Sequence, residues 1–236
     1  MNPVIAALGR RLRLGVIGGS YGFIGPIHRT AARLDDRFEI AAGVLSSGPA
    51  RGRDAALGLG IAAERAYPTV EAMLAAEAER ADGIEAVAIM TPNAHHFPAA
   101  MAALDAGLDV ICDKPMTTSL ADAQALVRKV AETGLVFCLT HNYSAYPMVR
   151  QARAMVRAGE IGEIRQIHLT YVQGHNATLV EAQSAGLTWR FDPALGGASL
   201  VTGDIGTHAH HLGAYVADLE LEAVLAERKR AARNKQ

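Results

Sequence analysis

The sequence predicts an α/β protein built on a doubly wound parallel sheet, and three observations carry that reading. Short, near-continuous apolar runs alternate strictly with Ala-rich helical runs from residue 12 onward. The first run ends in a long glycine-rich turn, and later runs end in polar residues. Strands that are apolar on both sides must be covered on both faces, which crossover helices do in a parallel sheet.

In chain order, 12–17 reads as a strand and 26–34 as a helix, followed by strand 39–45 and helix 50–57. The series continues with strand 86–90, helix 94–106, strand 109–112, helix 119–132 and strand 135–140. Beyond Asn142 the character changes. A helix is expected over 146–158, ending at Gly159. In 163–172 the residues Ile164, Ile167, Leu169 and Tyr171 suggest a longer strand with a wetter face. A long loop carries the only tryptophan, Trp189, and long loops in compact domains tend to bind something. A helix over 200–216 then leads to a strand-like start at 220–225. The boundary is drawn between 1–142 and 143–236.

Composition narrows the partners. The chain has 236 residues, 23 basic and 24 acidic, for a formal net charge of -1. No global field draws it to nucleic acid or an anionic membrane, so a small-molecule substrate is expected. Cys112 and Cys138 lie in apolar runs with no metal or disulfide spacing and read as buried small hydrophobes in a reducing compartment. No signal-peptide core or membrane-length apolar run is evident, which makes the cytoplasm the simplest address.

Chemistry concentrates at strand ends. Gly18-Gly19-Ser20-Tyr21-Gly22-Phe23-Ile24-Gly25 joins the first strand to a helix, where glycines admit a pyrophosphate to the backbone and the helix start offers N–H donors. The spacing of Gly18, Gly22 and Gly25 is longer than G-x-G-x-x-G, and a merely connecting turn is the alternative. After the second strand, Ser46, Ser47 and Arg51 stand where a carboxylate would hold a ribose 2′-hydroxyl, which favours NADP slightly over NAD. They could equally be a solvated turn. Lys114, after Asp113 and before Pro115, emerges at the ligand-binding edge and could polarise a carbonyl or accept a hydroxyl proton, although a lysine there can also be a surface charge. Asp204 and His208, four apart, would share a helix face, with the carboxylate fixing the imidazole. The alternatives are a structural histidine or a metal site of Asp204, His208 and His211, as in a hydrolase or lyase. Thr91-Pro92-Asn93 with His95 and His96 should surface at the same edge, where Asn93 could instead cap the next helix.

Taken in order, Gly18 to His28, Thr91-Pro92-Asn93, Asp113-Lys114-Pro115, Gly159-Glu160-Ile161-Gly162, Trp189-Arg190-Phe191-Asp192-Pro193 and Gly203-Asp204-Ile205-Gly206-Thr207-His208 resemble the glucose–fructose oxidoreductase/inositol dehydrogenase/MocA (Gfo/Idh/MocA) family. The resemblance implies a Rossmann domain followed by an α+β domain with an open, mostly antiparallel sheet. It implies NAD(P)-linked oxidation or reduction of sugars and cyclitols, by homo-oligomers. It gives Lys114 a place near substrate and nicotinamide, His208 the acid/base role and Asp204 the role of its partner. It places Thr91, Pro92, Asn93, His96, Asp113 and Asn142 along the cofactor, and Tyr143, Trp189 and Arg190 with the substrate. Asp113 stands for the family's common glutamate, and Ser144 where many members carry arginine. Family members continue further, so the second sheet is expected to be cut short, leaving that domain unstable or partnered. The basic tail 226–236 has no strand pattern. A nucleotide-binding remnant without catalysis is the competing functional reading.

Overall fold

The computed structural model describes residues 2–20, 22–172 and 188–227. Two compact units emerge, Met1–His141 with Tyr171–Thr207, and Asn142–Thr170 with His208–Gln236. The first thus takes in a segment that the sequence boundary at 142/143 assigns to the second.

A short helix α1 (Pro3–Leu8) precedes strand β1 (Leu12–Gly18), helix α2 (Ile24–Asp35), strand β2 (Phe38–Val44) and helix α3 (Pro49–Gly58). Helix α4 (Val70–Ala78), strand β3 (Ala86–Met90), helix α5 (His96–Asp105), strand β4 (Asp109–Cys112), helix α6 (Leu120–Thr133) and strand β5 (Phe137–Leu139) follow. The five strands pair in the order β2-β1-β3-β4-β5, all parallel. An isolated parallel bridge from Gly43 to Ala66 adds a rudimentary strand outside β2.

Period-two alternation sends residues to two separate cores. Val87 and Ile89 of β3 join Ile17, Ala100, Leu104 and Leu126 on one face, packed by α4, α5 and α6. Ala86, Ala88 and Met90 of the same strand join Leu14, Val16, Ala32 and Ala56 on the other, packed by α2 and α3. All five residues of β3 are buried. Helix α6 begins where the Ser119 hydroxyl accepts from the Asp122 N–H and ends at Gly134, whose φ of 67° closes the last turn. Helix α4 and the one-turn segment Ala63–Arg65 were not foreseen. Thr69 caps α4 by accepting from the Ala72 N–H, but the apolar residues of Val70–Ala78 make no clear stripe.

Cys112 is buried, and its desolvated thiol titrates well above the ordinary range. Cys138 is exposed, against expectation, because β5 is a three-residue edge strand. Among the described residues no helix is long and apolar enough to cross a membrane.

In the second unit, helix α7 (Pro147–Arg157) fills the expected position. The strands expected at 163–172 and 220–225 do not form: both segments lack regular secondary structure. A strand needs a partner for its N–H and C=O groups, and the described residues of this unit offer none. Leu169, Val172, Leu221 and Val224 are accordingly exposed. Residues 173–187, which fall in the expected long loop, and the tail 228–236 lie outside the described residues. Helix α8 (Pro193–Gly196) belongs to the first unit, and helix α9 (Thr207–Ala217) continues a π-helical turn over Thr202–Gly206.

Candidate active site

The glycine turn meets the conditions for holding an anion. Gly18, Gly19 and Gly22 have φ of 79°, 71° and 110°, a backbone that side chains disfavour. Among the described residues no side chain caps the following helix α2, whose first N–H groups have no partner within the helix. A Cβ on Gly18 would stand 2.8 Å from the Met90 carbonyl oxygen, and one on Gly25 only 1.8 Å from that of Gly19. Gly25 is thus where helix and strand turn touch. Gly25→Ala is expected to destabilise the first unit by roughly 1–3 kcal/mol or more and to weaken nucleotide binding, both measurable by thermal melting and by titration with NAD(P). Gly58→Ala, where a Cβ meets nothing within 4 Å, should melt as the parent does or slightly higher.

Sequence reasoning missed the brace beneath this turn. Arg29 lies on the same buried stripe of α2 as Gly25 and Ala32. Its Nη1 donates to the Gly19 carbonyl at 2.6 Å, and burial pulls its pKa down from the usual arginine value. The signal was available as a lone charge on a stripe of small residues. Phe23 is exposed, Ile24 packs on the α2/α3 core, and Tyr21 lies outside the described residues. After β2, the Ser46 hydroxyl accepts from the Gly48 N–H and from Arg51 Nε, both at 3.2 Å, so hydroxyl and guanidinium stand together.

Beyond β3 the Thr91 hydroxyl is buried with no hydrogen-bond partner among the described residues. A buried orphan of this kind at the ligand edge suits a bound polar group. His96 is almost wholly buried, with Nδ1 2.7 Å from the Pro115 carbonyl and Nε2 3.0 Å from that of Thr91. Its ring ties the turn after β3 to the one after β4. Desolvation, the larger influence, lowers its pKa against those two carbonyls. Asn93 caps nothing. It opens a short 3-10 turn, and its Nδ2 donates to the Gly196 carbonyl at 3.0 Å.

Beyond β4, Asp113 accepts from the Lys114 N–H at 2.9 Å and from the Thr140 hydroxyl at 3.0 Å. The Lys114 ammonium, 15% exposed, donates to the Asp204 carbonyl at 2.7 Å and also to its carboxylate. The carboxylate expected beside His208 is therefore held by the lysine. The i, i+4 argument for Asp204 and His208 assumed an α-helix, but residues 202–206 form a wider π turn closed by the Thr207 N–H on the Thr202 carbonyl. Turns of this kind recur at functional sites. Two glycines, Gly203 and Gly206, were the local hint.

In the second unit His208 is buried, with its ring 4.7 Å from that of Tyr143, and Asn142 Nδ2 donates to the Tyr146 hydroxyl at 3.3 Å. Burial lowers the pKa of His211, which stacks on Tyr215. Among the described residues no three His, Cys, Asp or Glu side chains gather as a metal site would require, Asp204, His208 and His211 included.

Comparison with known proteins agrees with this layout. Residues 12–141 match the oxidoreductase family, NAD-binding Rossmann fold, and residues 149–236 match the GFO/IDH/MocA C-terminal domain. The chain is 37% identical over 226 residues to the uncharacterized oxidoreductase YfiI of Bacillus subtilis, covering 94% of this chain and 58% of that one. It is 31% identical over 223 residues to levoglucosan dehydrogenase of Pseudarthrobacter phenanthrenivorans, covering 88% and 51%. An inositol dehydrogenase homolog from Azotobacter vinelandii, crystallised with NAD+, superposes with a TM-score of 0.86 at 39% identity, covering 89% of this chain and 54% of that one. The chain thus spans little more than half the length of these relatives. With the Rossmann model matched from β1 to the end of β5, it belongs to the Gfo/Idh/MocA family of oxidoreductases.

Proposed function

We propose that this chain carries the NAD(P)-binding half and the reactive groups of a dehydrogenase acting at a hydroxyl or carbonyl carbon of a sugar, cyclitol or related polyol. The observation that supports it most is the Lys114 ammonium, held by Asp204 at the carboxyl edge of a parallel sheet whose first turn is shaped for an anion. Ligands of such sheets bind at that edge.

When bound, NAD(P) supplies the hydride acceptor or donor. The glycine turn of Gly18, Ser20, Tyr21, Gly22 and Gly25 and the start of α2 bind the pyrophosphate. Ser46, Ser47 and Arg51 take the ribose end, with NADP slightly preferred because the first carboxylate after β2 is Asp54. Thr91, Pro92, Asp113 and Asn142 line the nicotinamide side. Lys114 orients and polarises the reacting oxygen, Asp204 positions Lys114, and His208 exchanges the hydroxyl proton. Tyr143, Trp189 and Arg190 contact the substrate. An open, mostly antiparallel sheet in the second domain, homo-oligomerisation and a reducing, cytoplasmic setting belong to the same reading.

The test mixes the purified chain with NAD or NADP and a panel of sugars and inositols, following the absorbance of reduced nicotinamide. Turnover with at least one polyol, and tighter binding of NADP than NAD, is the expected result. Cofactor binding without turnover on any member of the panel would favour the nucleotide-binding remnant.

A further inference from the structure

We propose that Asn93 is a positioning residue: its side-chain amide latches a strap, residues 188–197, to the carboxyl edge of the sheet and so sets where Trp189 and Arg190 stand. The strap runs through a short 3-10 turn (Thr188–Phe191) into α8. Its backbone bonds are local. The Asp192 carboxylate accepts from the Ala194 N–H at 2.9 Å, and the Asp192 carbonyl from the N–H of Gly196 at 2.7 Å. The final carbonyls of a helix have no partner within it. That of Gly196 receives the Asn93 amide from a residue 103 positions away.

Two further features fit a latch. Gly196 is buried, and a Cβ there would stand 2.7 Å from the Arg190 carbonyl oxygen, so the strap folds tightly onto itself where the amide grips it. Next to it, at Gly197 with φ 93°, an added Cβ would meet the Thr118 side chain at 3.4 Å, on the segment that follows Lys114. The strap is therefore seated between the turns after β3 and β4. Upstream, the Arg190 guanidinium lies 4.6 Å from the centre of the Trp189 ring, within cation–π range. Asn93 stands 21 residues before Lys114, on a different strand's exit.

Trp189 is the only tryptophan, so its fluorescence reports the strap directly, without cofactor or substrate. In Asn93→Ala and Asn93→Asp the ratio of docked to undocked strap should fall roughly five-fold, the change an ordinary hydrogen bond carries. Acrylamide quenching should rise with it, and the far-ultraviolet circular dichroism should not change. Asn93→Ser, which keeps a donor, should recover part of the protection. The kinetic arm rests on the dehydrogenase reading: KM for the polyol should rise by a larger factor than the dissociation constant of NAD(P) does. Unchanged quenching in both donor-less variants overturns the latch. So does a large loss of NAD(P) affinity with unchanged quenching, which would make Asn93 a cofactor ligand. Altered quenching in a chain that turns over no substrate supports the latch and counts only against the dehydrogenase reading.

Discussion

Lys114→Met is expected to lower kcat by about 10²–10⁴-fold, the range that a positioned proton-transferring or polarising group contributes. Methionine approximates the length and flexibility of the lysine stem, so the apolar part of the side chain keeps its packing while the ammonium is lost. NAD(P) affinity should change little, because the glycine turn and the start of α2 that bind the pyrophosphate in this reading lie on another strand's exit. Lys114→Arg should not restore the rate: a planar guanidinium keeps its proton and cannot take up the geometry of an ammonium bound by both the carbonyl and the carboxylate of Asp204. His208→Ala should cost a rate loss of similar order, again about 10²–10⁴-fold, if that imidazole exchanges the substrate proton. Initial rates of cofactor reduction, with binding titrations on the same preparations, decide the matter. A Lys114→Met protein that binds cofactor and turns over within a few-fold of the parent would remove Lys114 from the reactive centre.

The dinucleotide half was legible because its determinants are local and redundant. A strand such as β3 is apolar at every position since both of its faces are covered, and the alternation of such runs with helices admits few topologies. The residues at the strand exits followed from the same logic. What they touch did not. Asn93 reads as a helix cap because its sequence neighbours say so, yet its partner is Gly196. Asp204 reads as the partner of the histidine four places on; its carboxylate accepts from a lysine 90 residues earlier, and it sits on a π turn that no periodicity announces. His96 reads as a ligand-edge side chain, yet it is buried between two backbone carbonyls. In the second unit the alternation in 163–172 was a fair strand signal, but pairing depends on segments far away in sequence, and none among the described residues of that unit supplies a ladder. Long-range hydrogen bonds leave little trace in local pattern, whereas burial leaves a strong one.

The same limit hid the most buried ion pair among the described residues, that of Arg65 and Glu77. Glu77 is 3% exposed and Arg65 8%. The carboxylate accepts from Arg65 Nε at 3.0 Å, from the Tyr67 hydroxyl at 2.9 Å and from the Ile84 N–H at 3.1 Å, while Arg65 also donates to the Asp82 carbonyl. These contacts pin α4 to the entry of β3, at the opposite end of the strand from Thr91. Burial and the hydrogen bond to Glu77 together raise the pKa of Tyr67. Removing one member of a buried pair leaves the other charge desolvated and alone, which costs about 3–5 kcal/mol. Glu77→Ala also orphans a hydroxyl and an N–H, so the loss should fall at the upper end of that range, a large share of the ~5–15 kcal/mol that holds an ordinary domain folded. Glu77→Gln, which keeps acceptor and shape but not charge, should be intermediate. The double replacement Arg65→Met with Glu77→Leu should recover most of the loss, since nothing charged is then left buried. Denaturant midpoints at constant slope measure all three. Where Glu77→Ala remains folded, its NAD(P) affinity should equal the parent's, because the pair lies at the far edge of the sheet from the glycine turn. A loss below about 1 kcal/mol would mean that water reaches Arg65 and that the pair is worth no more than a surface one.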